Sequence, residues 1–343
     1  MSHSESVRPH LAGVVEDRWN LLLGRALVRR GWRQVVLPHA GYGGPGFVRV
    51  FARVVYAPVS SHVPDSAAAL QRRGWRNFFT AEAVDVPVTV TVAGERHAAH
   101  TDRSGNLDAR LPQVGLAPGW HEVTIESETS APATARVLVV DDQVEFGIVS
   151  DIDDTVLQTL LPRPVLAAYH TLVLREGARQ PVPGMADLYT ELVGAHPGAP
   201  IIYVSTGAWN TAGTLRRFLA RNGFPEGPLL LTDWGPTNTG WFRSGQDHKR
   251  GCLRDLADDF PRIRWVLVGD DGQHDPTIYA EFAARHADRV RAIAIRELSA
   301  GQQMLAHGTP TTRVSVSSEG QPPVPAVGAP DGAALADLLR PLL

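Results

Sequence analysis

The chain has 343 residues, 33 Lys+Arg against 36 Asp+Glu, and a formal net charge of −3. That length suits two domains of about 100–200 residues each, and 43% hydrophobic against 20% charged residues excludes disorder of the whole chain. The absence of a basic excess argues against a dedicated nucleic-acid binder, and a single cysteine, Cys252, excludes an internal disulfide framework or a Cys-rich metal site.

Residues 1–35 are expected to form an N-terminal amphipathic helix. Within 11–33, Val15, Trp19, Leu22 and Ala26 follow helical spacing, while Arg18, Arg25, Arg29 and Arg33 form a basic face. Packing on its own domain is the simpler reading; contact with anionic lipid is the sharper one. No apolar run approaches the ~20 residues of a membrane span, and MSHSESVRPH lacks the layout of a secretion signal. The expected location is the cytoplasm, compatible with peripheral attachment to a membrane.

Between 36 and 142 the hydrophobic period becomes two. Val48, Val50, Ala52 and Val54 alternate with Arg49, Phe51 and Arg53, and Val86, Val88, Val90 and Val92 with Thr89 and Thr91. Val123, Ile125, Val137 and Val139 continue the pattern, with turn signals at 41–44, 93–94 and 102–105 between them. Short alternating strands at this spacing predict an antiparallel β-sandwich. No catalytic grouping stands out in it, so it reads as an accessory domain.

From 143 to 343 the pattern changes again. The runs FGIV at 146–149, IIYV at 201–204, WVLV at 265–268 and AIAI at 292–295 are continuously apolar. Strands buried on both faces read this way, and a parallel sheet flanked by helices follows. Helices are predicted over 184–195, 210–222, 248–258 and 276–287. A Pro/Gly-rich segment spans 319–332, and 333–343 offers a last short helix.

Ligands of open α/β sheets bind beyond the carboxyl ends of the strands. There the chain places Asp151, Asp153, Asp154 and Thr155 after the first run, Ser205, Thr206 and Gly207 after the second, and Asp270, Asp271 and Asp275 after the third. Acids this close repel one another by a few kcal/mol, and a divalent cation resolves the conflict. All the donors are hard oxygens, which favours Mg2+. A calcium loop over 151–155 is disfavoured, because the glycine at loop position six and the acid at position twelve are missing.

In an extended backbone Asp151 and Asp153 point to one side. One carboxylate can attack phosphorus, while the other protonates the departing oxygen and later deprotonates water. Asp153 or Asp154 alone would pass for a cap or turn former. Lys249 is the only lysine in the chain. It lies at the start of a predicted helix with Asp247 as its expected N-cap, and a retained ammonium suggests a compact charge that a guanidinium cannot replace. His248 and His274 flank these motifs without metal-ligand spacing. Cys252 reads as core, and GYGG at 41–44 lacks the Lys-Ser/Thr of a phosphate loop.

Asp151-x-Asp153-x-Thr155, Ser205, Lys249 and Gly269-Asp270 with the later Asp275 resemble, in that order, the four motifs of the haloacid-dehalogenase phosphatases. SDIDDTV at 150–156, RQPVPGM at 179–185, YVSTGAW at 203–209, LTDWG at 231–235, DHK at 247–249 and VGDDGQHDPTIYAEF at 268–282 are more closely similar to the catalytic domain of the actin-patch phosphatidate phosphatases and their bacterial relatives. Lipins share a more distant version. The resemblance is firm over 145–300.

It implies a haloacid-dehalogenase-like, Rossmann-like α/β domain with a small cap, and a Mg2+-dependent phosphomonoesterase. By motif, Asp151 is the nucleophile, Asp153 the general acid and base, Thr155 orients the loop, and Ser205 and Lys249 hold the phosphoryl group. Asp151, the Asp153 carbonyl and Asp270 ligate the metal. Asp275 either joins them or caps the helix that Pro276 opens, and Asp271 is an alternative outer contact. Ser205-Thr206-Gly207 stands where Ser-Asn-Ser is usual, so Thr206 and Gly207 bear on phosphate contacts.

The substrate implied is phosphatidate, a phospholipid phosphate ester, with no nucleic acid and no stable protein partner. The residues add a Leu-rich segment at 156–183 carrying Arg163, Arg175 and Arg179, a wall suited to an acyl chain plus a phosphate. Trp209, Trp234 and Trp241 either line a pocket mouth or pack a core. A soluble or protein phosphomonoester, or a non-catalytic lipid-binding module, are the alternatives.

Overall fold

The structure is a computed structural model that describes residues 26–58, 81–113, 115–158, 180–232, 245–299, 301–303 and 324–343. Most of the expected N-terminal helix, the Arg163, Arg175 and Arg179 segment, Trp234 and Trp241 lie outside the described residues. The helix ends earlier than expected: 26–29 are helical, and a strand is established by Trp32.

The first sheet is built from β1 (Trp32–Gly44), β2 (Phe47–Pro58), β3 (Ala81–Glu82), β4 (Pro87–Val92), β5 (Glu95–His100), β6 (Asn106–Pro112), β7 (Gly119–Ser127) and β8 (Ala133–Val139). These hydrogen-bond as one continuous sheet in the order β3-β2-β1-β8-β7-β4-β5, with β6 also on β2. Where separate antiparallel layers were expected, the sheet curls over a single core and includes one parallel pairing, β1 with β8. The alternation of the sequence builds that core. Val48, Val50, Val54, Val88, Val90, Val123, Ile125 and Val137 all point inward.

GYGG has a packing role here. A side chain at Gly41 or Gly43 would collide with the backbone of Arg49 or Phe47 on β2. The glycines let the strands close, and a register shift between His39 and Tyr42 re-aims Tyr42 outward from this sheet.

The second sheet contains β9 (Phe146–Asp151), β12 (Ile201–Ala208), β13 (Leu229–Thr232), β14 (Arg264–Asp270), β15 (Val290–Arg296) and β16 (Ala326–Ala329). All its pairings are parallel, in the order β13-β12-β9-β14-β15-β16. The four apolar runs became its four central strands. The edge strands β13 and β16 were not foreseen, since each is short and one lies in the Pro/Gly-rich tail. A two-stranded ribbon, β10 (Leu157–Gln158) with β11 (Gln180–Pro181), brackets the expected cap segment.

Helices cover both faces. Ile148, Ile201, Tyr203, Val266 and Ala292 pack against α1 (Met185–Ala195), α2 (Ala212–Arg221) and α5 (Gly332–Leu339). Val149, Ile202, Leu267 and Ile293, alternate residues of the same strands, pack against α3 (Gly245–Asp259) and α4 (Asp275–Arg285). Tyr42, Phe47 and Phe51 of the curled sheet enter this second core beside Phe260. Asp331 caps α5 by accepting from the Ala334 amide at 2.9 Å. Among the described residues no helix is long and apolar enough to cross a membrane.

Candidate active site

β9 lies between β12 and β14. The chain leaves β9 toward one side and returns on the other, so the loops diverge beyond its carboxyl end and leave a crevice. The register sets Val204 beside Asp151 and Val268 beside Ser150. Asp151, Ser205 and Asp270 therefore emerge at one edge.

Beyond Asp151 the chain turns at once. Asp154 takes a left-handed φ of 58°, a conformation that Asp tolerates better than most residues. Its amide donates to the Leu157 carbonyl at 2.8 Å, and the Val156 amide donates to the Ile152 carbonyl at 2.9 Å. Asp153, just before this turn, accepts from Ser205 Oγ at 3.0 Å, and Ser205 Oγ accepts from the Gly207 amide at 2.9 Å.

Lys249 rises from the first turns of α3 into the crevice. Its Nζ lies 2.6 Å from Asp151 Oδ1 and 2.5 Å from Asp275 Oδ1. Asp247 sits within the first turn of α3 and is not its N-cap, because the helix starts at Gly245. Asp275 likewise does not cap α4: His274 holds that position and Asp275 is the first helical residue. Its carboxylate turns inward over Gly269, where an added Cβ would stand 2.5 Å from Asp275 Oδ2. Glycine is required there for the close approach.

Ligand oxygens of Asp151, Asp270 and Asp275 lie within 4.8 Å of one another, and all three residues and Lys249 are at most 3% exposed. At an effective dielectric of ~20 each such acid pair costs about 3–4 kcal/mol. Burial, and then the neighbouring carboxylates, hold Asp151 and Asp270 well above the usual carboxyl range, although Lys249 opposes this. Burial works against the charge of Lys249, but Asp151 and Asp275 outweigh it and raise its pKa. The Oδ2 atoms of Asp151, Asp270 and Asp275 are sealed from solvent without a hydrogen-bond partner. Three orphaned hard oxygens around excess negative charge fit a divalent cation.

The other expected site residues divide. Thr155 is fully buried. Thr206 offers its carbonyl to Thr232 Oγ1 at 2.8 Å, so the end of β13 holds the Ser205–Gly207 loop. Thr232, within the LTDWG stretch, carries no local sequence signal for this role. Trp209 packs at the seam with the curled sheet, stacked on His39 at 4.7 Å between ring centroids and tilted against Phe51 at 5.6 Å. Asp271 anchors the loop after β15, accepting from the Leu298 amide at 2.7 Å and Gln303 Nε2 at 3.2 Å. His248 meets the Leu230 carbonyl at 3.3 Å, and Cys252 is buried.

Residues 146–297 match the family model described as Phosphatidate phosphatase APP1, catalytic domain. The chain is 28% identical over 203 residues to Phosphatidate phosphatase APP1 of Saccharomyces cerevisiae, covering 57% of this chain and 34% of the yeast protein. It is 27% identical over 158 residues to an uncharacterized protein of Schizosaccharomyces pombe, covering 46% and 26%. This chain therefore spans about a third or less of the length of these relatives. Among solved structures, the HAD domain of the effector protein Lem4 from Legionella pneumophila is 15% identical, with a TM-score of 0.33, covering 46% of this chain and 87% of that one. Residues 146–297, which hold the acid cluster, are thus the part of this chain that is similar to a phosphatidate phosphatase catalytic domain.

Proposed function

We propose that the chain is a Mg2+-dependent phosphatidate phosphatase that works through an aspartyl-phosphate on Asp151, with residues 36–142 as an accessory domain and 143–343 as the catalytic one. The observation that carries this reading is the buried bridge Asp151–Lys249–Asp275 with Asp270 beside it. A structural ion pair needs one acid; three acids and one ammonium leave charge that a substrate phosphate and its metal would complete.

Asp151, Asp270 and Asp275, with the Asp153 carbonyl, would hold Mg2+, which supplies charge neutralisation for the phosphoryl oxygens. Asp151 attacks phosphorus in line, and the bond from phosphorus to the glycerol oxygen breaks. Asp153 gives its proton to that oxygen, releasing the alcohol of diacylglycerol. Asp153, now a carboxylate, takes a proton from water as the water oxygen attacks phosphorus; the bond to Asp151 breaks and inorganic phosphate leaves. Ser205 Oγ donates to Asp153 Oδ2 and would turn that proton to a phosphoryl oxygen once Asp153 is itself protonated as the acid. Lys249 holds Asp151 in position and balances developing charge. Thr155, Thr206 and Gly207 shape the loops around it, and Arg163, Arg175 and Arg179 would meet the phosphate from the segment outside the described residues. The substrate's lipid character implies peripheral contact with a membrane surface.

The test is phosphate release from dioctanoyl phosphatidate against p-nitrophenyl phosphate, with Mg2+ and with EDTA. Turnover of the lipid, abolished by EDTA, is expected. Equal rates in EDTA would remove the metal from the mechanism, and preference for the soluble ester would move the substrate to a soluble phosphomonoester.

A further inference from the structure

Arg296 is the last residue of β15 and is 4% exposed. It lies beside Asp270 in register, on the strand one further from β9 and Asp151. Its fork spans three separate stretches of chain. Nη1 donates to the Asp154 carbonyl at 2.6 Å, Nη2 to Gln302 Oε1 at 3.1 Å, and Nε to the Pro330 carbonyl at 3.3 Å.

The Asp154 contact is the informative one. Asp154 is one of three non-glycine residues described with positive φ, a sparsely populated conformation that needs its surroundings to hold it. Both of its backbone groups are held: the amide by Leu157, the carbonyl by Arg296. This turn directly follows Asp153. Its angle fixes where the Asp153 carbonyl and carboxyl sit relative to Asp151.

A buried guanidinium is expensive to desolvate. If balancing the acids were its only purpose, any cation would serve, and Lys249 already stands among them. A planar fork with fixed directions is suited instead to tying several chain segments at set angles. We infer that Arg296 is a positioning residue for the reaction, acting through the Asp154 carbonyl to hold the turn that presents Asp153. This rests on the phosphatase reading above.

The experiment compares wild type with Arg296→Lys, which keeps the charge and loses the fork, and Arg296→Gln, which keeps donors and loses the charge. Steady-state kinetics are measured with dioctanoyl phosphatidate, and backbone hydrogen exchange over 151–158 without substrate. Both variants are expected to lower kcat by about 10–100-fold with KM within about twofold, as for a displaced reacting group. Exchange at 154–157 should rise locally while the central strands keep wild-type protection. Full activity in Arg296→Lys would overturn the inference in favour of simple charge balance. Wild-type exchange at 154–157 in both variants would also overturn it. A wild type idle on every phosphate ester would instead defeat the phosphatase reading, and the exchange data would then decide on Arg296 alone. If Arg296→Gln does not fold, Arg296→Lys carries the comparison.

Discussion

The two sheets differ most in what they bury beside their valines. The polar side chains buried in the curled sheet are all neutral: Gln34, Thr101, Asn106, Gln113 and Ser127. The parallel-sheet region buries Asp151, Asp154, Lys249, Asp270, Asp275 and Arg296. A buried neutral group costs little once hydrogen-bonded, whereas a buried charge costs several kcal/mol even when paired. The curled sheet is thus built for stability, and the parallel sheet carries a local electrostatic load at one edge that folding alone would not select. The charges of the curled sheet stay at its rim. There Arg49 pairs with Asp108 at 2.7 Å and with Asp255 of α3 at 2.8 Å, and Arg110 meets Asp259 at 3.1 Å.

The sharpest way to test that division is Asp151→Asn. If the acid cluster serves chemistry, phosphate release should fall by at least ~10³-fold, while the unfolding midpoint stays level or rises, because one member of a repelling set has been neutralised. A few per cent of residual activity would return Asp151 to a structural role.

Lys249→Met takes the opposite approach, removing the one cation among the described residues that pairs with both Asp151 and Asp275. Three acids then face one another with no ammonium between them. Stability in EDTA should drop by about 3–5 kcal/mol, and Mg2+ should recover part of that loss. Urea unfolding with and without Mg2+ measures both; an equal deficit in the two buffers would argue that no cation binds the cluster.

Phe51→Ala probes the seam between the sheets. Phe51 is 3% exposed and packs on Tyr42 and Trp209. Its truncation should cost about 3–4 kcal/mol. Because Trp209 closely follows Ser205–Gly207, kcat should also fall, by about threefold. Two separate unfolding transitions in the wild type would show instead that the seam is not cooperative and that the curled sheet is an appendage.

The sequence made one of these regions more legible than the other. The parallel strands announced themselves because double-sided burial demands unbroken apolar runs, and the motif acids fall where those runs end. Lys249 was visible through composition alone. Separate sandwich layers were expected because alternation reveals which face is buried but not which strand pairs with which; β1 joining β8 in parallel has no signature in period-two text. Arg296 was invisible for a related reason. Among 32 arginines, nothing local distinguishes one whose partners are the carbonyls of Asp154 and Pro330, which only the fold brings near. Trp209 carried two readings because a tryptophan near a motif looks the same whether it faces substrate or a neighbouring sheet.

The smallest expected effect concerns His39, where the two regions meet. Its ring stacks on Trp209, and its Nε2 is sealed from solvent without a partner. Burial, and then the charges of Arg216 and Arg53, push its pKa down from 6.5 to about 3. A depressed histidine pKa stabilises the fold above the unfolded value of 6.5, and that contribution is lost as pH falls toward 3: the unfolded chain accepts a proton that the folded chain refuses. Between pH 7.5 and pH 5 this should cost wild type about 1–2 kcal/mol. His39→Gln, which has no titrating ring, should show a shallower loss over the same interval, read from urea midpoints at matched ionic strength. Parallel pH profiles for the two proteins would mean that His39 is open to water, and that the seam between the sheets is looser than its aromatic stacking implies.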